Sequence, residues 1–149
     1  MIDIKLKFDA AKKMFFDRQK ILRAVDTATA GVFSKFGAYV RQRAKTSIRK
    51  RKAASEPGQP PSSHTGLLKS FIFFGYDRPK KSVVIGPVRL GNKSGDALPA
   101  LEYGGTAKIR DRKKKRNKVV RIQARPFMQP AFEKEQTKLP ALWANSIKK

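Results

Sequence analysis

The amino-acid sequence predicts a single α+β domain, in which a long N-terminal amphipathic helix and a C-terminal helix pack on a small, mainly antiparallel sheet. Apolar residues recur at three- and four-residue steps through the first third of the chain. Two short apolar segments flank the turn-like sequence DRPKK at 77–81, and a rougher apolar stripe marks the C-terminus. The 149 residues suffice for one domain, 1–149, that buries roughly two-thirds of its unfolded surface.

The N-terminal pattern predicts a strand followed by the long helix. Residues 2–8, IDIKLKF, alternate between apolar and polar side chains, as expected for a strand with one apolar face. The helix is expected from about Asp17 to Arg51, with a bend near Gly31 or Gly37. The apolar positions that define its inward face are Ile21, Val25, Ala28, Val32, Phe36, Val40, Ala44 and Ile48.

A proline-rich segment separates this helix from a predicted β-hairpin. Residues 53–65, AASEPGQPPSSHT, contain three prolines and a glycine, so an extended loop is expected near 52–65. Apolar character then returns, and strands are predicted at 70–76 and 82–87. The intervening turn makes them antiparallel neighbours.

The second half of the chain predicts two loops, a short buried stretch and a final helix. A loop at 91–96 precedes the buried stretch formed by Leu98, Leu101 and Tyr103. A second extended loop is expected near 107–118, because its many positive charges repel one another, with strand character returning at Val119, Val120 and Ile122. The helix should begin near Pro126, and Pro140 should kink or restart it. Its apolar stripe comprises Phe132, Leu139, Leu142, Trp143 and Ile147.

The composition argues against an enzyme and against a bound cofactor or metal. Cysteine is absent and His64 is the single histidine, so neither a thiolate site nor an imidazole cluster is available in one chain. His64 lies among hydroxyl residues on the proline-rich loop, without a third group to orient its ring. Glu133 and Glu135 should lie on opposite faces of the last helix, and no glycine-rich segment has phosphate-loop spacing.

No membrane span or signal peptide is expected. The sequence lacks a run of about 18 apolar residues, and the alternating N-terminus lacks a continuous apolar segment. A cytoplasmic protein, or one in a particle assembled there, is therefore predicted.

The net charge of +24 predicts a polyanionic partner, which could be nucleic acid, an acidic protein surface or anionic lipid. Two basic blocks, 41–52 and 108–121, contain most of this excess. The candidate binding residues are Arg49, Lys50, Arg51, Lys52, Arg112, Lys113, Lys114, Lys115 and Arg116. The alternative for the first block is a solvated helix face with favourable charge at the helix C-terminus. Phe71, Phe73 and Phe74 could stack on bases, although a role in the core is favoured.

Three segments together resemble a bacteriophage family. They are SEPGQPPSSHTGLLKSFIF at 55–73, ALPALEYGGT at 97–106 and ARPFMQPAFEK at 124–134. In order and spacing they are similar to the minor tail component, or neck (tail-completion, head–tail joining), proteins of long-tailed phages, over roughly residues 20–147. The residues that carry the resemblance are Thr65, Gly66, Leu67, Ser70, Glu102, Gly104, Arg125, Pro126, Phe127 and Pro130.

The resemblance implies a virion structural protein at the head–tail junction, present in the host cytoplasm during assembly. It implies a homo-oligomeric ring, typically sixfold, that contacts a connector, a tail terminator or a tail tube. The strong positive charge departs from the family and would face either an acidic neighbouring ring or the packaged double-stranded DNA. A protein partner is favoured, because a positive lumen would retard passing DNA. The alternative function is that of a basic nucleic-acid-binding accessory protein.

The stretch ARPFMQPAF is interpreted as a corner that defines the fold. Pro126 suits a helix N-terminus, where its missing N–H costs nothing, and Pro130 still lies in the first turn. Phe127 should fill the space between sheet and long helix, with Ala131 allowing close approach and Phe132 continuing the buried face. Arg125 is expected to pair with an acid, Glu102 being the proposed partner, or to cap carbonyl groups; the alternative is an exposed arginine.

Overall fold

The computed structural model describes residues 18–88, 97–111, 116–144 and 146. The predicted strand 2–8, the loop 91–96 and Ile147 lie outside the described residues. In chain order the elements are α1 (Arg18–Ser47), α2 (Leu67–Ser70), β1 (Ile72–Asp77), β2 (Ser82–Pro87), α3 (Ala97–Tyr103), β3 (Gly105–Asp111), β4 (Arg116–Ile122), α4 (Met128–Gln136) and α5 (Leu139–Ala144). The predicted α+β class and the predicted long helix are confirmed.

Helix α1 is unbroken through both of its glycines and buries one face from Ala28 onward. The prediction that Ile21 and Val25 belong to the buried face is wrong, since both are exposed. The helix also ends four residues earlier than expected, at Ser47. Beyond it the backbone pairs with the proline-rich loop, where the Ser63 N–H donates to the carbonyl of Arg49 at 3.0 Å.

The predicted hairpin is confirmed as β1 and β2, whose register pairs Ile72 with Pro87 and Asp77 with Ser82. The hairpin packs closely on α1 at Gly37, which is buried. A Cβ atom there would lie 2.8 Å from side-chain carbons of both Phe74 and Val83. Gly37 therefore permits the close approach of helix and hairpin.

A second hairpin, β3–β4, replaces most of the extended loop predicted at 107–118. Residues 107–111 and 116–118 are paired strand, because cross-strand hydrogen bonding outweighs the repulsion between the basic side chains. Within the described residues the two hairpins form separate two-stranded antiparallel sheets, so the predicted small sheet is divided in two.

Helix α3 contains the stretch that the sequence predicts to be buried. The prediction is wrong for Tyr103, which is 75% exposed. In a helix, residues 98 and 101 share a face, whereas residue 103 points elsewhere. The prediction that Phe132 continues the buried face is also wrong, because this side chain is exposed. Helix α4 buries Ala131 and Glu135, so the neighbouring Phe132 is turned outward and lies edge-on against Phe36, with ring centroids 5.4 Å apart.

The core lies between α1, the first hairpin and the C-terminal helices. Its buried members are Phe36, Val40, Ala44, Ile48, Ile72, Phe127 and Ala131. The chain restarts as α5 with Pro140 at its second residue, in agreement with the predicted restart. Leu139 and Leu142 of α5 pack against the core. Among the described helices, none combines the length and apolarity needed to cross a membrane.

Candidate functional site

The second and third motifs and the proline-rich start of the first meet at one buried junction between α3, the proline-rich loop and the start of α4. Glu102, at the end of α3, is 8% exposed and accepts hydrogen bonds from three successive backbone amides. Its Oε2 accepts from Phe127 at 3.1 Å, and its Oε1 accepts from Met128 at 3.1 Å and from Gln129 at 2.8 Å. These are the amides that a helix N-terminus leaves without intrahelical partners.

Glu102 therefore acts as the N-terminal cap of α4, although it lies 25 to 27 residues earlier in the chain. Phe127, the residue that precedes α4, has no side-chain cap of its own. A carboxylate at this place also interacts favourably with the positive end of the helix dipole. Hydrogen bonds that involve a charged group are stronger than neutral ones, so the cap is a substantial stabilising feature.

The predicted ion pair between Arg125 and Glu102 is wrong, because each side chain has other partners. The Glu102 carboxylate is occupied by the amides of α4. Arg125 instead donates from Nε to the Ser55 carbonyl at 3.0 Å and from Nη1 to the Gln123 carbonyl at 3.4 Å. The alternative prediction, that Arg125 caps carbonyl groups, is confirmed.

Backbone hydrogen bonds complete the junction. The Arg125 N–H donates to the Leu101 carbonyl at 2.7 Å, and the Gly58 N–H donates to the Ala124 carbonyl at 2.8 Å. Gly104 has a φ of +81°, a conformation that favours glycine, and a Cβ atom there would lie 3.3 Å from the Ala124 nitrogen. The proline-rich loop, the turn after α3 and the entry to α4 are thus joined by main-chain contacts.

Phe127 lies buried beneath this junction, as predicted, with 2% of its surface exposed. It belongs to the same core cluster as Val40 and Ile72, and so links α1 to the first hairpin. Pro130 lies in the first turn of α4 and Ala131 is buried, which agrees with the interpretation of the corner.

The motif TGLLKS lies apart from this junction and forms a local entry to β1. The Leu67 N–H donates to Thr65 Oγ1 at 3.4 Å, and the Ser70 hydroxyl donates to the Gly66 carbonyl at 3.2 Å. Gly66 has a φ of +81°, at the position preceding the four-residue helix α2. Leu67 is exposed. These residues form a turn. Among the hydrogen bonds of the described residues, none joins this turn to Glu102 or Arg125.

The first basic block is held partly by the proline-rich loop. Arg51 Nε donates to Ser62 Oγ at 2.9 Å, and the Arg49 carbonyl accepts from Ser63. Arg49 and Arg51 line a polar cleft of about 530 Å³ together with the acidic Glu56. Lys50 and Lys52 are exposed. The block therefore retains positive groups that are free to meet an anion, although the cleft also holds one negative charge.

The second basic block lies on the β3–β4 hairpin. Arg112, Lys113, Lys114 and Lys115 lie outside the described residues, and Arg116 begins β4. The register gives the hairpin an inner face, where the buried Ala107 pairs with Val120. We call this hairpin the arm. Its opposite side is exposed and is named the outer face of the arm; its members are Thr106, Lys108, Val119 and Arg121.

Sequence reasoning missed an ion-pair cluster that joins α1 to the C-terminal helix. The buried Glu135 of α4 forms a salt bridge with Arg43 Nε, and Lys138 Nζ lies 2.7 Å from its other oxygen. Lys138 first, and then Arg43, lower the pKa of the Glu135 carboxyl against the opposing effect of burial. The interpretation of the first basic block as a solvated helix face therefore fails for Arg43. The three-residue spacing of Glu135 and Lys138 was the available signal for this pair.

Comparison with known proteins returns no match: no family model, no curated protein and no solved structure matches this chain.

Proposed function

We propose that this protein is a structural subunit of a bacteriophage particle at the head–tail junction, where it completes the tail and mediates its joining to the DNA-filled head. The observation that carries the proposal is the junction itself. Hydrogen bonds of Glu102, Arg125 and Ser55 join the resembling segments 97–106 and 124–134 to each other and to the proline-rich start of the segment 55–73. Residues that resemble a family over long sequence distances thus have a shared physical role in the fold.

The arm is the feature best suited to assembly. The described β3–β4 hairpin contacts the remainder of the protein chiefly through α3, and its outer face presents Val119 at 60% exposure. The side chains of Lys108 and Arg121 flank Val119 on that face. An exposed apolar residue between two cations fits an interface with a surface on a neighbouring subunit that is acidic, or at least less basic.

In this proposal the subunits form a homo-oligomeric ring, typically sixfold. The contacts would be heterologous, with the arm of one subunit meeting a different surface of the next. The partners on either side would be a connector, a tail terminator or a tail tube. The subunit carries out no catalysis, and its location is the virion, after assembly in the host cytoplasm.

The test is negative-stain electron microscopy of lysates from a phage that lacks this gene, complemented with variants. Without complementation we expect full heads beside unattached tails, or tails with abnormal ends. Wild-type protein should restore particles, whereas Lys108→Glu combined with Arg121→Glu should fail to do so while the subunit remains folded. The matched control is Arg78→Glu combined with Lys80→Glu, which makes the same charge change on the exposed β1–β2 turn.

Normal, infectious particles in the absence of the gene would overturn the head–tail proposal and favour the nucleic-acid-binding accessory role. If both double variants fail equally to restore particles, the proposal that the arm forms the assembly interface is wrong. That result would indicate that total charge, and not the outer face, determines assembly.

A further inference from the structure

A further cationic surface lies at the end of the first hairpin opposite its turn, and it includes Arg41 and Lys45 from the helical part of the first basic block. We call it the cationic face, and it comprises Arg41, Lys45, Lys69, Phe71 and Phe73. Arg41 and Lys45 are one turn apart on α1, so their side chains project from the same side of the helix. Lys69 lies on α2, the short helix that contacts α1 and leads directly into β1.

Arg41 is held in place by two contacts. Its Nε donates to the Ile72 carbonyl at 2.8 Å, and its guanidinium carbon lies 5.9 Å from the centre of the Phe73 ring. Only one of the guanidinium nitrogens is used by the Ile72 carbonyl, so the remaining N–H groups are available for an anion. A fixed arginine also loses little conformational entropy when it binds.

Lys45 lies in an environment of like charge. Partial burial, followed by the positive charges of Arg41 and Lys69, lowers the pKa of the Lys45 ammonium. Like charges one helical turn apart destabilise a helix slightly. An anion bound between the three cations would remove this repulsion, which gives the cluster a physical reason to favour an anionic ligand.

The aromatic residues distinguish this surface from a simple patch of charge. Along β1, Ile72 is buried while the next residue, Phe73, is 47% exposed, which corrects the expectation that this phenylalanine belongs to the core. The Phe71 ring lies edge-on to Phe73, with centroids 6.4 Å apart. Cations beside exposed aromatic rings are the combination with which proteins bind nucleic-acid backbones and bases.

We propose that the cationic face binds nucleic acid, with Arg41, Lys45 and Lys69 contacting backbone phosphates and Phe73 packing on a sugar or base. This surface is separate from the outer face of the arm, and the inference does not depend on the proposed assembly role. Equal affinities for single-stranded and duplex DNA would show that binding depends on phosphate contacts. A higher affinity for single-stranded DNA would show that Phe73 also stacks on a base.

The experiment measures binding of the full chain to fluorescent single-stranded and duplex DNA of about 20 nucleotides, by anisotropy across a salt series. The test variant is Lys45→Gln with Lys69→Gln. The control, Arg78→Gln with Lys80→Gln, removes the same charge at the β1–β2 turn, the far end of the hairpin from Ile72. Thermal unfolding of each variant verifies that it is folded.

We expect the test variant to lose at least about tenfold in affinity and the duplex salt slope to fall by roughly 1.8, the value for two lost phosphate contacts. The control should change affinity by less than about threefold. In the wild-type protein, bound DNA should protect Lys45 and Lys69 from reductive methylation more than Lys80. This footprint tests the proposal even if the double variant proves unstable.

Equal losses in the two double variants would overturn the proposal, because the affinity would then come from net charge alone. Wild-type affinity in the test variant would also overturn it. Polyglutamate serves as the competing polyanion. If the test variant loses polyglutamate binding but keeps DNA binding, the surface belongs to an acidic protein partner and the proposal is wrong.

Discussion

The cap formed by Glu102 is the contact whose removal should most directly disconnect the junction. The Glu102→Gln variant keeps the size of the side chain but removes its charge and turns one of its acceptors into a donor. That NH₂ group would face backbone N–H groups that now donate to the carboxylate at 2.8 to 3.2 Å. The Glu102→Ala variant leaves the same amides with no side-chain acceptor.

The expected magnitudes follow from the number of bonds and their burial. Loss of an N-cap costs about 0.5–2 kcal/mol, and a charged group near a partly buried helix end contributes up to about 2 kcal/mol. We therefore expect Glu102→Gln to reduce the free energy of unfolding by about 2 kcal/mol. For Glu102→Ala we expect about 3–4 kcal/mol, since each buried unsatisfied amide costs about 1–3 kcal/mol and the effects are not additive.

Equilibrium unfolding in urea measures these values, and an unchanged m-value would show that the loss lies in the native state. Glu133→Gln is the matched control on α4, because Glu133 is exposed and its carboxylate accepts from the Gln129 side chain. It should change stability by less than about 0.5 kcal/mol. If Glu102→Gln also stays within that limit, the interpretation of Glu102 as the cap of α4 is refuted.

Two further predictions concern packing and pH. Gly37→Ala should destabilise the protein by about 1–3 kcal/mol in urea unfolding, because the added methyl group collides with the first hairpin. Gly31→Ala, which meets nothing within 4 Å, should instead stabilise α1 by about 0.5–1 kcal/mol, and equal effects at the two positions would contradict the packing account. Because the folded pKa of Glu135 is lowered, its carboxylate stabilises the protein above its unfolded pKa and this contribution is lost as the pH falls through the folded value. The stability difference between wild type and Glu135→Gln should thus be largest near neutral pH and shrink below about pH 4, whereas a constant difference would argue against the ion pair.

The sequence predicted local structure more accurately than long-range partners. The first hairpin was predicted correctly to within two residues of the observed strands, because its alternating pattern and its proline-containing turn act locally. The location of Phe127 in the core followed from the corner motif. The strand character predicted at Val119, Val120 and Ile122 is confirmed. The rest of the second hairpin was wrongly predicted to be a loop, because charge repulsion is visible in the sequence whereas cross-strand pairing is not.

The partners of Glu102 and Arg125 could not be predicted for a related reason. Glu102 was recognised as a motif residue, and the sequence suggested an arginine as the obvious partner for a carboxylate. In the structure its partners are backbone amides, which every residue except proline carries and which no sequence pattern marks. Phe73 was assigned to the core because aromatic residues in strands are usually buried, but strand alternation turns it outward beside Arg41.

The distance along the chain between Glu102 and the amides it caps affects the order in which the protein folds. Helix α4 has nine residues, fewer than the ~12–15 at which an isolated helix becomes even marginally stable in water. Its cap is provided only once the intervening β3–β4 segment has brought α3 alongside, which requires loop closure against chain entropy. We therefore expect helix α4 and the turn after α3 to form as one cooperative unit, because the helix is stabilised only when Glu102 is in place to accept from its first amides.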